Sequence, residues 1–113
     1  MFASTPEVDA DQAQQLAEAG AVLVDVRRAD EWDAGHAPGA LHIPLDHLPA
    51  RVDDLTGAGR LVMVCRSGSR SARATRWLRA QGCDAVNLAG GMQAWARSGG
   101  AVVCDDDAPG RVA

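Results

Sequence analysis

The chain has 113 residues, 47% of them hydrophobic, with 12 glycines and 5 prolines, which is enough for one ordered core and excludes a disordered or fibrous protein. A formal net charge of −4 excludes general nucleic-acid binding, and no apolar run has the pattern of a signal peptide or the length of a membrane span. Cys65, Cys83 and Cys104 form neither a C-x-x-C pair nor an even set, so a soluble protein of the reduced cytoplasm is expected rather than a disulfide scaffold.

The predicted elements follow a lead-in, residues 1–6, that is expected to be a mobile tail. Glu7 and Val8 read as a short strand. Asp9 to Gln12 has the pattern of a capping box, with Asp9 as N-cap and Gln12 reaching back. Ala13, Leu16 and Ala17 mark the buried face of the helix that follows, and Gly20 is its natural stop. Ala21 to Val24 reads as a buried strand ending at Asp25-Val26-Arg27. Charged residues there are notable, because that end of an open α/β sheet borders the ligand crevice. Asp30 to Ala34 suggests one helical turn, Gly35 to Ala40 a turn cluster, and Leu41 to Ile43 a third strand stopped by Pro44. Leu45 to Leu55 reads as irregular or weakly helical, with Thr56 to Gly59 as a turn.

Leu61 to Val64, an unbroken apolar run, reads as a strand buried on both faces. A helix is expected further on, where Ala74, Trp77 and Leu78 fall at i, i+3 and i+4 and Arg73, Arg76 and Arg79 line a solvated face. Gly82 ends it. Asp84 to Leu88 gives a fifth strand, Ala89 to Met92 a tight turn, and Gln93 to Arg97 the start of a last helix. Residues 105–113 are polar and expected to be mobile. Strands alternating with short helices predict one α/β domain over residues 1–113, with a central parallel five-stranded sheet and helices on both faces.

Between the fourth strand and the arginine-rich helix lies Cys65-Arg66-Ser67-Gly68-Ser69-Arg70-Ser71. A strand, a polar loop and a helix in that order aim backbone N–H groups at an anion. A cysteine in such a cradle is held as thiolate, helped by neighbouring cations. All eleven basic residues are arginine, and Arg66 and Arg70 are expected to face the sulfur. Ser67 and Ser69 are expected to donate further hydrogen bonds, and Gly68 to relieve crowding where the backbone turns. A thiolate beside planar guanidinium forks can attack an electrophilic sulfur or phosphorus atom of a small oxyanion.

The loop resembles the active-site loop of single-domain rhodaneses, the thiosulfate sulfurtransferases. Two further stretches are similar to that family's signatures: Asp25-Val26-Arg27 with Glu31-Trp32 and Gly35 to Ala40, and Asn87 to Met92 followed by Trp95. They occur in family order over roughly residues 8 to 97. The resemblance implies a rhodanese-like fold and a two-step sulfur transfer without metal or cofactor. Cys65 would take the outer sulfur of thiosulfate as a persulfide, with backbone N–H groups from Arg66 to Arg70 stabilising the anion. Cyanide, a thiol or a thioredoxin-like dithiol protein would then accept it. Related cysteine-dependent phosphatases enclose five residues between cysteine and arginine, whereas Cys65 and Arg70 enclose four, which resembles the sulfur-handling version. A phosphatase or arsenate reductase is the remote alternative. A persulfide carrier with little small-molecule turnover, or an interaction platform, are the others.

Asp25 could serve as a general base, but a loop-supporting role accepting N–H bonds from the neighbouring loop is preferred. Arg27 and Glu31 are expected to pair with each other or with local backbone. His36 suggests a Cys–His dyad, yet its place in a glycine- and proline-rich turn favours a fold-holding hydrogen bond. His42 and His47 lack metal-ligand spacing and read as surface residues. Cys83 is expected to pack, while Cys104 on a mobile tail could reach Cys65 as a resolving thiol. Trp32, Trp77 and Trp95 read as packing residues.

Overall fold

The computed structural model describes residues 5–113. Its sheet has five strands: β1 (Glu7–Val8), β2 (Val22–Asp25), β3 (Leu41–His42), β4 (Arg60–Val64) and β5 (Asp84–Leu88). All pairings are parallel, in the order β1-β5-β4-β2-β3. The helices are α1 (Ala10–Glu18), α2 (Ala29–Ala34), α3 (Leu48–Leu55), α4 (Ser69–Ala80) and α5 (Gly91–Arg97). Among the described residues no helix is long and apolar enough to cross a membrane.

Side-chain alternation on β4 divides the core. Leu61, Met63 and Cys65 face α3 and α4, where Leu48, Leu55 and Leu78 pack, while Val62 and Val64 face α1 and α5 with Ala13, Met92 and Trp95. Helices therefore cover both faces, as parallel strands require. From β2 the chain moves outward to β3, and from β4 it moves the opposite way to β5. The carboxyl ends of β2 and β4 thus flank a topological switch point, the usual ligand crevice of such sheets.

The capping box of α1 is present in full: Gln12 N–H donates to Asp9 Oδ1 at 2.8 Å, and the Asp9 N–H donates to Gln12 Oε1 at 2.9 Å. Three expectations need correction. For Leu45–Leu55 the helical reading holds and the irregular one does not: a 3-10 turn, Leu45–His47, runs into α3, whose buried side follows from Leu48, Val52 and Leu55 at i, i+4 and i+7. The last helix starts at Gly91 rather than Gln93.

The tail is the third correction. The segment after Gly99 folds back on the domain, with Val103 bridging His36 and Pro109, and Arg111 N–H donating to the Ala34 carbonyl at 2.9 Å. Val102 and Val112 supply the apolar anchor against the α1–α5 side of the core. Gly35 permits the close approach, since a Cβ there would lie 2.5 Å from the Arg111 carbonyl oxygen. At the other end, residues 1–4 lie outside the described residues, and the Pro6 carbonyl accepts from Asn87 N–H at 2.8 Å.

Candidate active site

Cys65 is fully buried at the end of β4, and its loop turns into α4 through Gly68. Gly68 has φ +106°, and a Cβ there would lie 3.1 Å from the Gly90 nitrogen, so glycine is needed on both counts. The Gly68 N–H points inward and donates to Cys65 Sγ at 3.0 Å. The Ser71 hydroxyl lies 3.3 Å from the same sulfur and 3.3 Å from the Gly68 carbonyl. Ser71 stands in the first turn of α4, where side chains lean back toward the helix start and onto the loop.

Two contacts from the far side fix the loop's orientation. Helix α5 begins with amides that have no intrahelical partner. Its Met92 N–H donates to the Cys65 carbonyl at 2.8 Å and its Gln93 N–H to the Arg66 carbonyl at 3.1 Å. With those carbonyls held outward, the following N–H groups face the sulfur. Gly91 makes the approach feasible: its φ is +57°, and a Cβ would press on the Cys65 carbonyl and lie 2.6 Å from the Arg66 carbonyl oxygen. Buried Asn87 on β5 ties down the other end, donating to the Gly68 carbonyl at 3.1 Å and to Glu7 at 3.0 Å.

Burial pushes the Cys65 thiol up, but hydrogen bonds from the Ser71 hydroxyl and from the backbone N–H groups of Ser71, Gly68 and Ser67 outweigh it and hold the thiol below its ordinary range. The donors differ from those expected. Neither the Ser67 nor the Ser69 hydroxyl bonds the sulfur; Ser71 does. The arginines are also engaged elsewhere. Arg70 forms a two-pronged pair with Glu31 at 2.7 and 2.9 Å. Arg66 Nε donates to the Ala113 carbonyl at 2.8 Å, and its terminal nitrogens reach the Gln93 side-chain oxygen at 2.9 and 3.2 Å once that amide is oriented to accept. The Glu31 hydrogen bonds hold the Arg70 guanidinium above its usual range, opposed by burial, with lesser help from the charges of Glu31, Cys65 and Asp25.

The supporting residues also exchange partners relative to expectation. Asp25 accepts from the Arg27 backbone N–H at 3.1 Å and from its guanidinium at 2.8–3.1 Å, rather than from the cysteine loop. Arg27 reaches on to the Gly35 carbonyl at 2.7 Å, so this buried pair clamps the end of β2 to the turn after α2. Glu31 pairs with Arg70 rather than Arg27 and accepts from the Arg28 backbone N–H at 3.1 Å, so of the two expectations for Arg27 and Glu31 the bond to local backbone is the one observed. His36 holds the fold as expected: its Nδ1 lies 3.0 Å from the Trp32 carbonyl, which requires that nitrogen to donate, and its ring stacks on Trp32 at 3.6 Å. His42 is half-buried rather than on the surface, stacked on Trp32 and bonded to the Arg27 carbonyl at 2.8 Å. His47 is exposed and Cys83 is buried in the core. Cys104 sits within the folded-back segment, its sulfur directed at the carbonyls of Ala34 and Pro109 at 3.7 and 3.8 Å.

A buried thiol that accepts from several donors beside a switch point is equipped to stabilise a sulfur anion. The rhodanese-like domain family model matches residues 9–98. A sulfurtransferase of Allochromatium vinosum is 39% identical over 103 residues, covering 88% of this chain and 96% of that protein. A putative sulfur carrier protein of Bacillus subtilis is 34% identical over 95 residues, covering 81% of this chain and 51% of that protein. Among solved structures, a thiosulfate sulfurtransferase from Pseudomonas aeruginosa aligns with a TM-score of 0.80 and 28% identity over 96% of this chain and 22% of that one. With the family's pattern spanning the chain from α1 to α5 around a cradled cysteine, this chain belongs to the rhodanese-like domain family.

Proposed function

We propose that the protein is a sulfurtransferase that carries sulfane sulfur on Cys65, taking it from thiosulfate and giving it to a thiophilic acceptor. The observation that carries this reading is the Cys65 cradle, in which a buried sulfur accepts from the Gly68 N–H and the Ser71 hydroxyl and its thiol is held below the ordinary range. The Cys65 thiolate attacks the outer sulfur of thiosulfate; the bond between the two thiosulfate sulfurs breaks, and sulfite leaves with its electron pair. The resulting Cys65 persulfide anion is stabilised by the N–H groups lining the loop, as an oxyanion hole stabilises oxygen. Cyanide or a thiolate then attacks the outer persulfide sulfur, leaving as thiocyanate or a new persulfide and returning Cys65 to thiolate. All three cysteines are free thiols, and such a nucleophile works where thiols stay reduced, which favours a cytoplasmic setting.

A second reading, a sulfur carrier loaded by a partner protein, is favoured by one feature: Arg66 and Arg70 are already engaged by Ala113 and Glu31, so a free dianion must displace them. Intact-protein mass after thiosulfate, and again after cyanide, tests the proposal. A gain of one sulfur that cyanide removes, absent in Cys65→Ala, is expected. No gain on wild type overturns thiosulfate as donor; loading only from a protein persulfide supports the carrier.

A further inference from the structure

A groove leaves the cysteine loop at Arg70 and runs outward between α4 and the 3-10 turn before α3. Its inner part, about 570 Å³, is walled by Val26, Pro44 and Leu45 and rimmed by Arg28, Arg70 and Arg73. Its outer part, about 210 Å³, adds Leu48, Pro49 and Trp77 and shares Leu45 and Arg73 with the first, so the two form one depression.

The charge along this groove is costly to the free protein. Helix α4 carries Arg70, Arg73, Arg76 and Arg79 at successive i, i+3 positions and no acidic residue. Like charges at that spacing repel, and a cation in the first turn opposes the helix dipole. Arg70 is relieved by Glu31, Arg76 donates to the Thr5 hydroxyl and Arg79 to the Ala85 carbonyl. Arg73 is exposed, and among the described residues no carboxylate pairs with it. Among the described residues Arg28 pairs with Asp30 alone, both side chains at least 70% exposed, an arrangement that contributes little. Asp46 also stands on the rim, exposed and beside His47. A net-acidic protein thus keeps Arg73 without a carboxylate partner among the described residues, and Arg28 with only an exposed one, beside an apolar trough.

We infer that this groove docks the protein that accepts the sulfur, through an acidic segment bearing an apolar side chain. Carboxylates of that segment pair with Arg73 and Arg28, and its apolar side chain seats against Leu45, Leu48 and Trp77. Its thiol is thereby delivered to the mouth of the cysteine loop at Arg70. Arginine and tryptophan are the residues most often dominant in such contacts. A nucleic acid fits less well, because half the groove is apolar and the net charge of −4 repels a polyanion beyond the groove. The inference rests on the sulfur-transfer reading for the cargo but not for the binding.

Fluorescence anisotropy on the full chain tests it, using a labelled, cysteine-free short peptide of alternating glutamate and leucine. The same peptide with lysine for glutamate and a short oligouridylate serve as the other probes. The acidic peptide is expected to bind, and to lose affinity by about tenfold or more in Arg73→Glu and on raising salt, as a rim ion pair should. Arg73→Lys is expected to keep most of the binding. Arg73→Glu is expected to convert thiosulfate and cyanide at the wild-type rate. No binding of the acidic peptide, equal binding by Arg73→Glu, or preference for the lysine peptide or the oligouridylate overturns the inference. Because the readout involves no sulfur chemistry, its failure is distinct from a failure to load Cys65.

Discussion

Replacing Ser71 with alanine isolates the side-chain hydroxyl from the other donors to the Cys65 sulfur. That hydroxyl has one proton and two acceptors at equal distance, the sulfur and the Gly68 carbonyl, each 3.3 Å away. When Cys65 is ionised, the charged acceptor takes the proton. The Gly68 carbonyl retains Ala72 N–H at 3.0 Å and Asn87 Nδ2 at 3.1 Å, so Ser71→Ala should leave the loop in place. A hydrogen bond to a charged group contributes about 1.5–3 kcal/mol, and the lower end suits a diffuse sulfur acceptor. Its loss lowers the thiolate-to-thiol ratio about tenfold at pH values below the titration midpoint.

The rate of alkylation falls by less. A thiolate of higher basicity is intrinsically more nucleophilic, which returns about threefold of that loss. The decisive measurement is therefore the midpoint of the pH profile for iodoacetamide modification, followed by peptide mass so that Cys83 and Cys104 are resolved separately. The midpoint of Ser71→Ala is expected above that of wild type, with a higher plateau at alkaline pH. Stability should fall by only about 1 kcal/mol, or about 4 °C in Tm for a domain of this size. Superimposable profiles would mean that the backbone N–H groups stabilise the thiolate unaided and that the hydroxyl is only packing.

Gly91→Ala places a methyl group against the Cys65 and Arg66 carbonyls at φ +57°, and should cost about 3 kcal/mol or more in urea unfolding, whereas Gly20→Ala, with open space around it, should cost about 1 kcal/mol. The Arg70 hydrogen bonds, opposed by burial, hold the Glu31 carboxyl at about 2, below its ordinary 4.5, so its stabilising contribution is complete above the unfolded value and disappears as the pH falls through about 2. Glu31→Gln should accordingly be about 2 kcal/mol less stable than wild type near neutral pH, with the gap closing under acid; a gap that persists near pH 2 would contradict the pairing. Gly35→Ala should lift the folded-back C-terminal segment, speeding amide hydrogen exchange at Val103 and Arg111 while the amides of β4 keep their protection. Unchanged exchange there would show that the segment does not depend on that contact.

Much of this architecture was legible because its signals are local. The capping box joins residues three apart, the apolar run of Leu61 to Val64 announces a strand buried on both faces, and Cys65 between strand and helix marks a thiolate cradle. Helix α3 reads from the sequence only as irregular or weakly helical, although Leu48, Val52 and Leu55 have the spacing of a buried helical face and Pro49 stands in its first turn, where proline is tolerated. Side-chain partners were not legible. Arg70 lies 39 residues from Glu31, and the Arg66 guanidinium finds a carbonyl 47 residues away, because strand order places α2 and the C-terminal segment beside the loop. The amides of α5 that clamp the Cys65 and Arg66 carbonyls follow β5, and it is the pairing of β5 with β4 that brings them to the loop. Sequence by itself determined which backbone segments could be strand, loop and helix, and which cysteine stands in the loop between strand and helix, since short-range sterics and hydrogen bonding decide those. Only the tertiary structure decided which donors reach the sulfur and which acids neutralise the arginines, because a long flexible side chain takes whatever partner the sheet topology brings within reach.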